Sequence, residues 1–245
     1  MPPPHELRTY RTRMARKGLV GFRVAVKETD LWVLADRDLT LEVREAVIQE
    51  RQQLESYIAA HPGFLEALAP WPEDPFAPPV VREMIAAAAK AGVGPMAAVA
   101  GAIAARVGMA LGGGSEEMIV ENGGDIYLRI NRPATVALFA GKSPLSHRLG
   151  LKIDPALSPL GVCTSSGSVG HSLSFGRADA ACVIAKSAAL ADAAATALGN
   201  RVPDPGAIPR ALDWVANLPE ILGAVVILGD KLGVWGQVEL LPLPV

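Results

Sequence analysis

Met118-Ile119-Val120-Glu121-Asn122-Gly123-Gly124-Asp125-Ile126-Tyr127-Leu128 reads as a β-hairpin, with strands over 117–121 and 125–130 joined at Asn122-Gly123-Gly124. Asn-Gly between apolar strands is the strongest short-range turn signal, because both central residues must tolerate positive φ. On the N-terminal side lie two helical patterns, 80–91 and 96–111, separated by Gly92-Val93-Gly94-Pro95 and ended by Gly112-Gly113-Gly114. The same order recurs later, with helices over 187–198 and 208–217 and strands over 224–228 and 234–240 joined around Gly229-Asp230-Lys231. Helix, helix, strand, strand, with a Gly-Asp pair in each hairpin, predicts an internal duplication. Further strands are expected between the copies at 135–139, 149–153 and 180–185. Runs of strands and paired helices, without regular β-α alternation, point to an α+β fold. The expected organisation is one compact domain over 1–245, made of pseudo-repeats at about 80–140 and 187–240. An N-terminal hairpin and helix at 19–60 precede them.

Within that N-terminal part, 19–26 and 31–35 are β-rich, and Glu28-Thr29-Asp30 is read as the turn between them. Val43, Val47, Leu54 and Ile58 recur near helical spacing over 41–60, and His61-Pro62-Gly63 ends the helix. The proline-rich run 62–79 reads as a connecting loop, packed down by Trp71 and Phe76. At 245 residues the chain is long enough for a large core without staples. Its charge sum of −2 argues against a nucleic-acid partner. Cys163 and Cys182 lack metal or dithiol spacing and are expected to be buried, reduced thiols. Arg8, Arg11, Arg13, Arg16 and Lys17 read as a solvated basic arm with no apolar stretch behind it. The most apolar run, 96–111, contains Arg106 and is too short to span a bilayer, so no membrane partner and a cytoplasmic location are expected.

Three segments carry candidate chemistry. In Asn122-Gly123-Gly124-Asp125 the glycines leave backbone amides bare to a ligand, and the two polar side chains bracket them. In Gly161-Val162-Cys163-Thr164-Ser165-Ser166-Gly167-Ser168-Val169-Gly170-His171-Ser172, read as a loop, hydroxyls alternate with glycines in a way that suits a phosphate or carboxylate. His171 is the candidate proton carrier beside it. In the alanine-rich helix that follows, with Ser187 as N-cap, Asp192 and Thr196 share one face and offer oxygens to a hard cation such as Mg²⁺. From spacing alone, close packing of small residues, with Asp192 bonded to a neighbouring backbone, is the favoured account of that helix. A Ser/His hydrolase using Ser166 or Ser168 with His171, oriented by Asp179, is an alternative.

Read in order, these segments resemble the ApbE-like superfamily, whose best-known members are FAD:protein FMN transferases. Val120-Glu121-Asn122-Gly123-Gly124-Asp125 matches V-N-x-G-G-D, and Thr164-Ser165-Ser166-Gly167 looks like the T-S-G loop. Cys182-Val183-Ile184-Ala185 running to Ala191-Asp192-Ala193-Ala194-Ala195-Thr196-Ala197 is similar to the V-x-V-x-A…A-D-A-x-A-T-A block. The resemblance is greatest to a smaller ApbE-like family of unknown function, marked by Gly94-Pro95-Met96-Ala97-Ala98-Val99-Ala100-Gly101 and by the loop ending in Gly170-His171-Ser172. It implies a duplicated, T-fold-like α+β architecture and a small-molecule ligand such as FAD or another nucleotide. It also implies Mg²⁺ held by Asp192 and Thr196, with Asn122, Gly123, Gly124, Asp125, Thr164, Ser165, Ser166 and Gly167 as pocket walls. A protein acceptor and a homodimer are compatible with it, as is a binding protein without turnover. Two departures stand out: the lysine of the family's A-K-G falls on Ala100, and no H-I-I-D-P follows the T-S-G-like loop.

Overall fold

A computed structural model of the chain describes residues 11, 14–167 and 176–244. The chain opens with the hairpin β1 (Val20–Val26) and β2 (Thr29–Ala35), followed by helix α1 (Thr40–Ala60), the short α2 (Gly63–Glu66) and α3 (Pro79–Ala91). A 3-10 turn at Pro95–Ala98 leads into α4 (Val99–Ala110), and the hairpin β3 (Met118–Asn122) and β4 (Asp125–Arg129) comes next. Then come β5 (Ala134–Ala137), β6 (Leu149–Ile153), β7 (Leu160–Ser165) and β8 (Ala180–Ala185). Helices α5 (Ala188–Asn200) and α6 (Ile208–Ala216) lead to β9 (Ile221–Leu228), β10 (Lys231–Gly236) and β11 (Glu239–Pro242).

An antiparallel sheet in the order β1-β2-β3-β4-β7-β8-β9-β10 forms the middle layer. Helices cover one face and the small sheet β11-β6-β5 covers the other, so the fold is α+β, as the order of predicted elements required. Strand alternation sorts side chains between the layers: Val120, Tyr127, Cys163 and Val183 join the helix-side core, while Ile119, Ile126, Val162 and Cys182 join the core beneath the small sheet. With both faces covered, all of β8, Ala-Ala-Cys-Val-Ile-Ala, is buried.

Small residues let the helices come close. A Cβ at Gly161 of β7 would stand 2.7 Å from the Ala188 methyl, so α5 begins directly on the sheet. Along α4, Gly101 meets Ala188 of α5 and Gly108 meets the Tyr127 ring, and just past the helix Gly112 meets Arg129, so side chains of β4 pack directly on the backbone of α4 and its C-terminal turn.

Several elements differ from the sequence reading. The first turn is Lys27-Glu28, with Lys27 at φ 52°, because Thr29 and Asp30 pair with Val26 and Ala25 in the ladder. The proline-rich connection carries α2, whose Phe64 is fully buried edge-on to Tyr57 and Trp71, whereas Phe76 is 97% exposed and packs nothing down. The final strand is two strands in two sheets, broken at Gly236, where φ is +81° and a Cβ would overlap the Leu222 carbonyl. Of the basic segment, Arg11 is buried and Arg16 pairs with the buried Glu117, so neither is solvated, while Lys17 is exposed and Arg8 and Arg13 lie outside the described residues. Cys163 and Cys182 are both free and buried. Among the described residues no single helix is long and apolar enough to cross a membrane, and the apolar pair Pro79–Ala91 and Pro95–Ala110 is bent by 104° at its break.

Candidate functional site

Helix α5 starts where the Ser187 hydroxyl accepts the Leu190 N–H at 3.3 Å. Its alanines and leucines from 188 to 198 are 0–2% exposed, because the helix is wedged between the sheet and α3 and α4. Asp192 and Thr196 break that seal, each retaining 9% exposure. Asp192 Oδ2 accepts the Gly101 N–H at 2.9 Å, and the Ala100 N–H also bonds to this carboxylate. No side chain of α4's own caps its start, so a carboxylate from α5 satisfies donors that would otherwise be orphaned in the interior. Burial pushes the Asp192 carboxyl well above the usual range and the charge of Asp125 adds to this, against those N–H groups.

The β3–β4 turn meets the same place from the sheet. Asn122 and Asp125 are the last ladder pair, and Gly123 and Gly124 turn the chain with φ of 69° and 108°. Strand alternation turns Asn122 and Asp125 toward the helices, and Asn122 Nδ2 donates to the Ala100 carbonyl at 3.2 Å. Thus α4's first turn is gripped by Asp192 through its N–H groups and by Asn122 through a carbonyl. Glu121 points to the opposite face, where its Oε1 accepts the Gly124 N–H at 2.8 Å.

The serine-rich segment begins as strand, not loop, because Gly161 to Ser165 pair with Ala185 to Ala181 of β8. Thr164 and Ser165 therefore face opposite ways. Thr164 bonds the thiol of Cys182 on the small-sheet side, away from Asp192, although its carbonyl lies beside Gly124. Ser165 faces the helices near Gly199 of α5. Ser166 is half-buried, and Gly167 donates its N–H to the Ala178 carbonyl at 2.9 Å. The structure thus gathers Asn122, Asp125 and Asp192 on one side of the sheet, with Thr196 one turn further along α5, and separates the Thr164 hydroxyl from them. His171 and Ser168 lie outside the described residues. Asp179, assigned above to orient a histidine, accepts the Gly229 N–H at 2.7 Å and holds the β9–β10 turn.

Cys163 sits among the carboxylates as an inert thiol: burial, with Asp125 and Asp192 adding to it, pushes it well above its usual range, and it donates to the Ala188 carbonyl. Burial also pushes Cys182 up to about 12. A groove of about 490 Å³ lined by Gln52, Gln53, Ser56, Tyr57, Ala60 and Pro78 contains none of the site residues. Among the described residues, no three His, Cys, Asp or Glu side chains cluster as a self-sufficient metal cage. Two mutually repelling carboxylates and a nearby hydroxyl instead suit Mg²⁺, which takes one or two carboxylates and completes its shell with water and substrate phosphates.

The sequence reading missed Gly101 as the donor to Asp192, and Arg11 and Asp30 as partners of Glu121. A charged Glu121 next to Val120 in a fully buried strand was the available signal for the latter.

The family described as AbpE bacteria matches residues 11–218. The chain is 46% identical over 213 residues to a UPF0280 protein of Methanocella arvoryzae, covering 86% of each chain. It is 45% identical over 216 residues to a UPF0280 protein of Methanosarcina barkeri, covering 87% of this chain and 85% of that one. Its fold is similar to that of the flavin transferase ApbE from Vibrio cholerae, with a TM-score of 0.58, 15% identity and coverage of 89% and 96%. It is likewise similar to the apo Pseudomonas stutzeri flavinyl transferase ApbE, with a TM-score of 0.52, 16% identity and coverage of 89% and 94%. A buried acid on α5 and the Asn-Gly-Gly-Asp turn thus sit on a scaffold shared with flavin transferases, and the chain belongs to the ApbE-like family described as AbpE bacteria.

Proposed function

We propose that this protein binds a nucleotide- or flavin-like ligand, FAD being the first to test, together with a divalent cation, and cleaves or transfers a phosphate-linked group. The observation that carries the reading is the break in α5: in a helix otherwise sealed by alanine and leucine, the residual exposure falls on Asp192 and Thr196. Asp125 and the Gly123–Gly124 turn approach them from the sheet. A buried carboxylate raised by a second one is costly unless the site has a use for the negative charge.

In this reading the Gly101 and Ala100 N–H groups fix the Asp192 carboxylate, which also serves the cation. Thr196 adds a neutral oxygen from the next turn, and Asp125 adds charge. Asn122 holds the turn against α4, so the glycines present a rigid rim to the anionic part of the ligand. When bound, a divalent cation supplies charge neutralisation at a pyrophosphate. His171 remains the proposed proton carrier, and a protein acceptor for the transferred group is part of the same proposal.

Incubating the protein with FAD and MgCl₂ tests this. AMP release or a flavin-labelled acceptor protein is the expected result, lost in Asp192→Ala. Absence of both products overturns transfer. The second reading, a binder without turnover, is favoured by Ala100, because α4's first turn lacks the cationic side chain of the related A-K-G motif. It predicts about 2.7 kcal/mol of stabilisation by FAD at a hundredfold excess over Kd, with no AMP.

A further inference from the structure

On the face of β3 opposite the helices lies an ion cluster that the proposed chemistry does not use. Glu121 is 1% exposed and Arg11 is 6% exposed. Arg11 Nε and Nη2 reach Glu121 Oε2 at 2.7 and 2.6 Å, while Nη1 reaches Asp30 Oδ1 at 2.9 Å and Nη2 also bonds the Asp30 carbonyl at 2.7 Å. Arg23 holds Asp30 from its exposed side at 2.8 Å. The other oxygen of Glu121 accepts the Gly124 N–H. A continuous line of charge-assisted hydrogen bonds therefore runs from a residue ahead of the first strand to the glycine turn.

We infer that Arg11 is a positioning residue that sets the Gly123–Gly124 turn through Glu121, and so sets affinity for an anionic nucleotide-type ligand. This rests on the proposal that the turn is part of the ligand site. Without the guanidinium that clamps Oε2, the buried carboxylate would be driven to reorient, and that change releases the Gly124 amide. A guanidinium fork suits the task because it serves two acceptors in one plane, which a lysine cannot do. Glycines at φ 69° and 108° have no side chains to hold them, so the turn depends on such outside contacts.

The test compares the full chain with Arg11→Met, Glu121→Gln and the double variant, using FAD with MgCl₂ as the probe and hydrogen exchange at Gly124 as a second readout. Glutamine keeps an oxygen for the Gly124 N–H but needs no cation. Arg11→Met is expected to weaken FAD binding about tenfold, the scale of one charge-assisted hydrogen bond, and to speed exchange at Gly124 but not in β8. Glu121→Gln alone turns an NH2 group toward the Arg11 N–H groups and should weaken binding as well, whereas the double variant removes that clash and should recover to within about threefold of the parent, a pattern that general destabilisation does not produce. If Arg11→Met fails to fold, Arg11→Lys serves in its place, with exchange at Gly124 faster than in the parent. Unchanged Gly124 exchange, or a double variant no better than Arg11→Met, overturns the inference. A parent chain that binds no FAD overturns the functional proposal instead, and the exchange comparison then decides the role of Arg11 by itself.

Discussion

Gly101→Ala sets two effects of opposite sign against each other. In an exposed helix the change would stabilise by about 1 kcal/mol, because alanine loses less backbone entropy. In α4 a Cβ at this position would overlap the Ala188 carbonyl oxygen and stand 2.8 Å from the carbonyl carbon and 2.9 Å from Asp192 Cβ. Those first two atoms are α5 backbone and cannot rotate away, so the start of α4 must retreat, an overpacking cost of about 1–3 kcal/mol. Retreat also stretches the 2.9 Å hydrogen bond from Gly101 to Asp192. Leaving a buried N–H and carboxylate short of a partner adds roughly 1–3 kcal/mol. The net expectation is a loss of about 1–5 kcal/mol, read from urea unfolding at unchanged m-value. Gly113→Ala is the control, since its Cβ meets nothing within 4 Å, and it should lie within about 0.5 kcal/mol of the parent. A Gly101→Ala variant as stable as the parent would refute the close α4–α5 approach and the cap that Asp192 provides across it.

Asp192 separates stability from binding. Asp192→Ala should cost about 1–3 kcal/mol by orphaning N–H groups of α4. Asp192→Asn keeps an acceptor and removes the repulsion with Asp125, so it should melt at or above the parent at pH 7 while losing Mg²⁺-dependent FAD binding. Because the folded carboxyl is raised above the ordinary 3.8, it weakens the fold progressively as pH climbs from there toward the folded value, and Asp192→Asn should abolish that slope in thermal melts. Glu117 has the opposite sign: burial pushes it up, but Arg16, Arg132 and the Asn131 N–H outweigh this and bring it from 4.5 to about 2. Its contribution, on the order of 3 kcal/mol, is complete above pH 4.5 and lost as pH falls toward 2, so Glu117→Gln should show a flatter acid limb in melts between those values. Thr196→Val, nearly isosteric, should change stability by under about 1 kcal/mol and weaken FAD binding at fixed Mg²⁺ about tenfold; equal binding would remove Thr196 from the site.

The α+β class was legible because turn chemistry and apolar period are local properties: Asn122-Gly123-Gly124 closes a hairpin, and Ser187 begins a helix, whatever surrounds them. The short strand β7 was hidden because glycine and hydroxyl residues suggest a loop, and only pairing between β4 and β8 makes Gly161 to Ser165 a central strand. That misreading put the Thr164 hydroxyl in the site, whereas the two-residue period of a strand turns it to Cys182. Gly101, Asp30 and Arg11 act through partners far away in sequence, so spacing along the chain cannot reveal them. The role of Asp192 shows the limit most clearly. Its pairing with Thr196 at helical spacing suggested an oxygen ligand, and bonding to a neighbouring backbone was the competing account. The structure shows that bonding, to Gly101 and Ala100 of α4. A cap needs one carboxylate oxygen, and asparagine would serve it without a buried charge beside Asp125. The acid therefore costs more here than the amide would, and the divalent cation proposed beside the carboxylate would offset that cost.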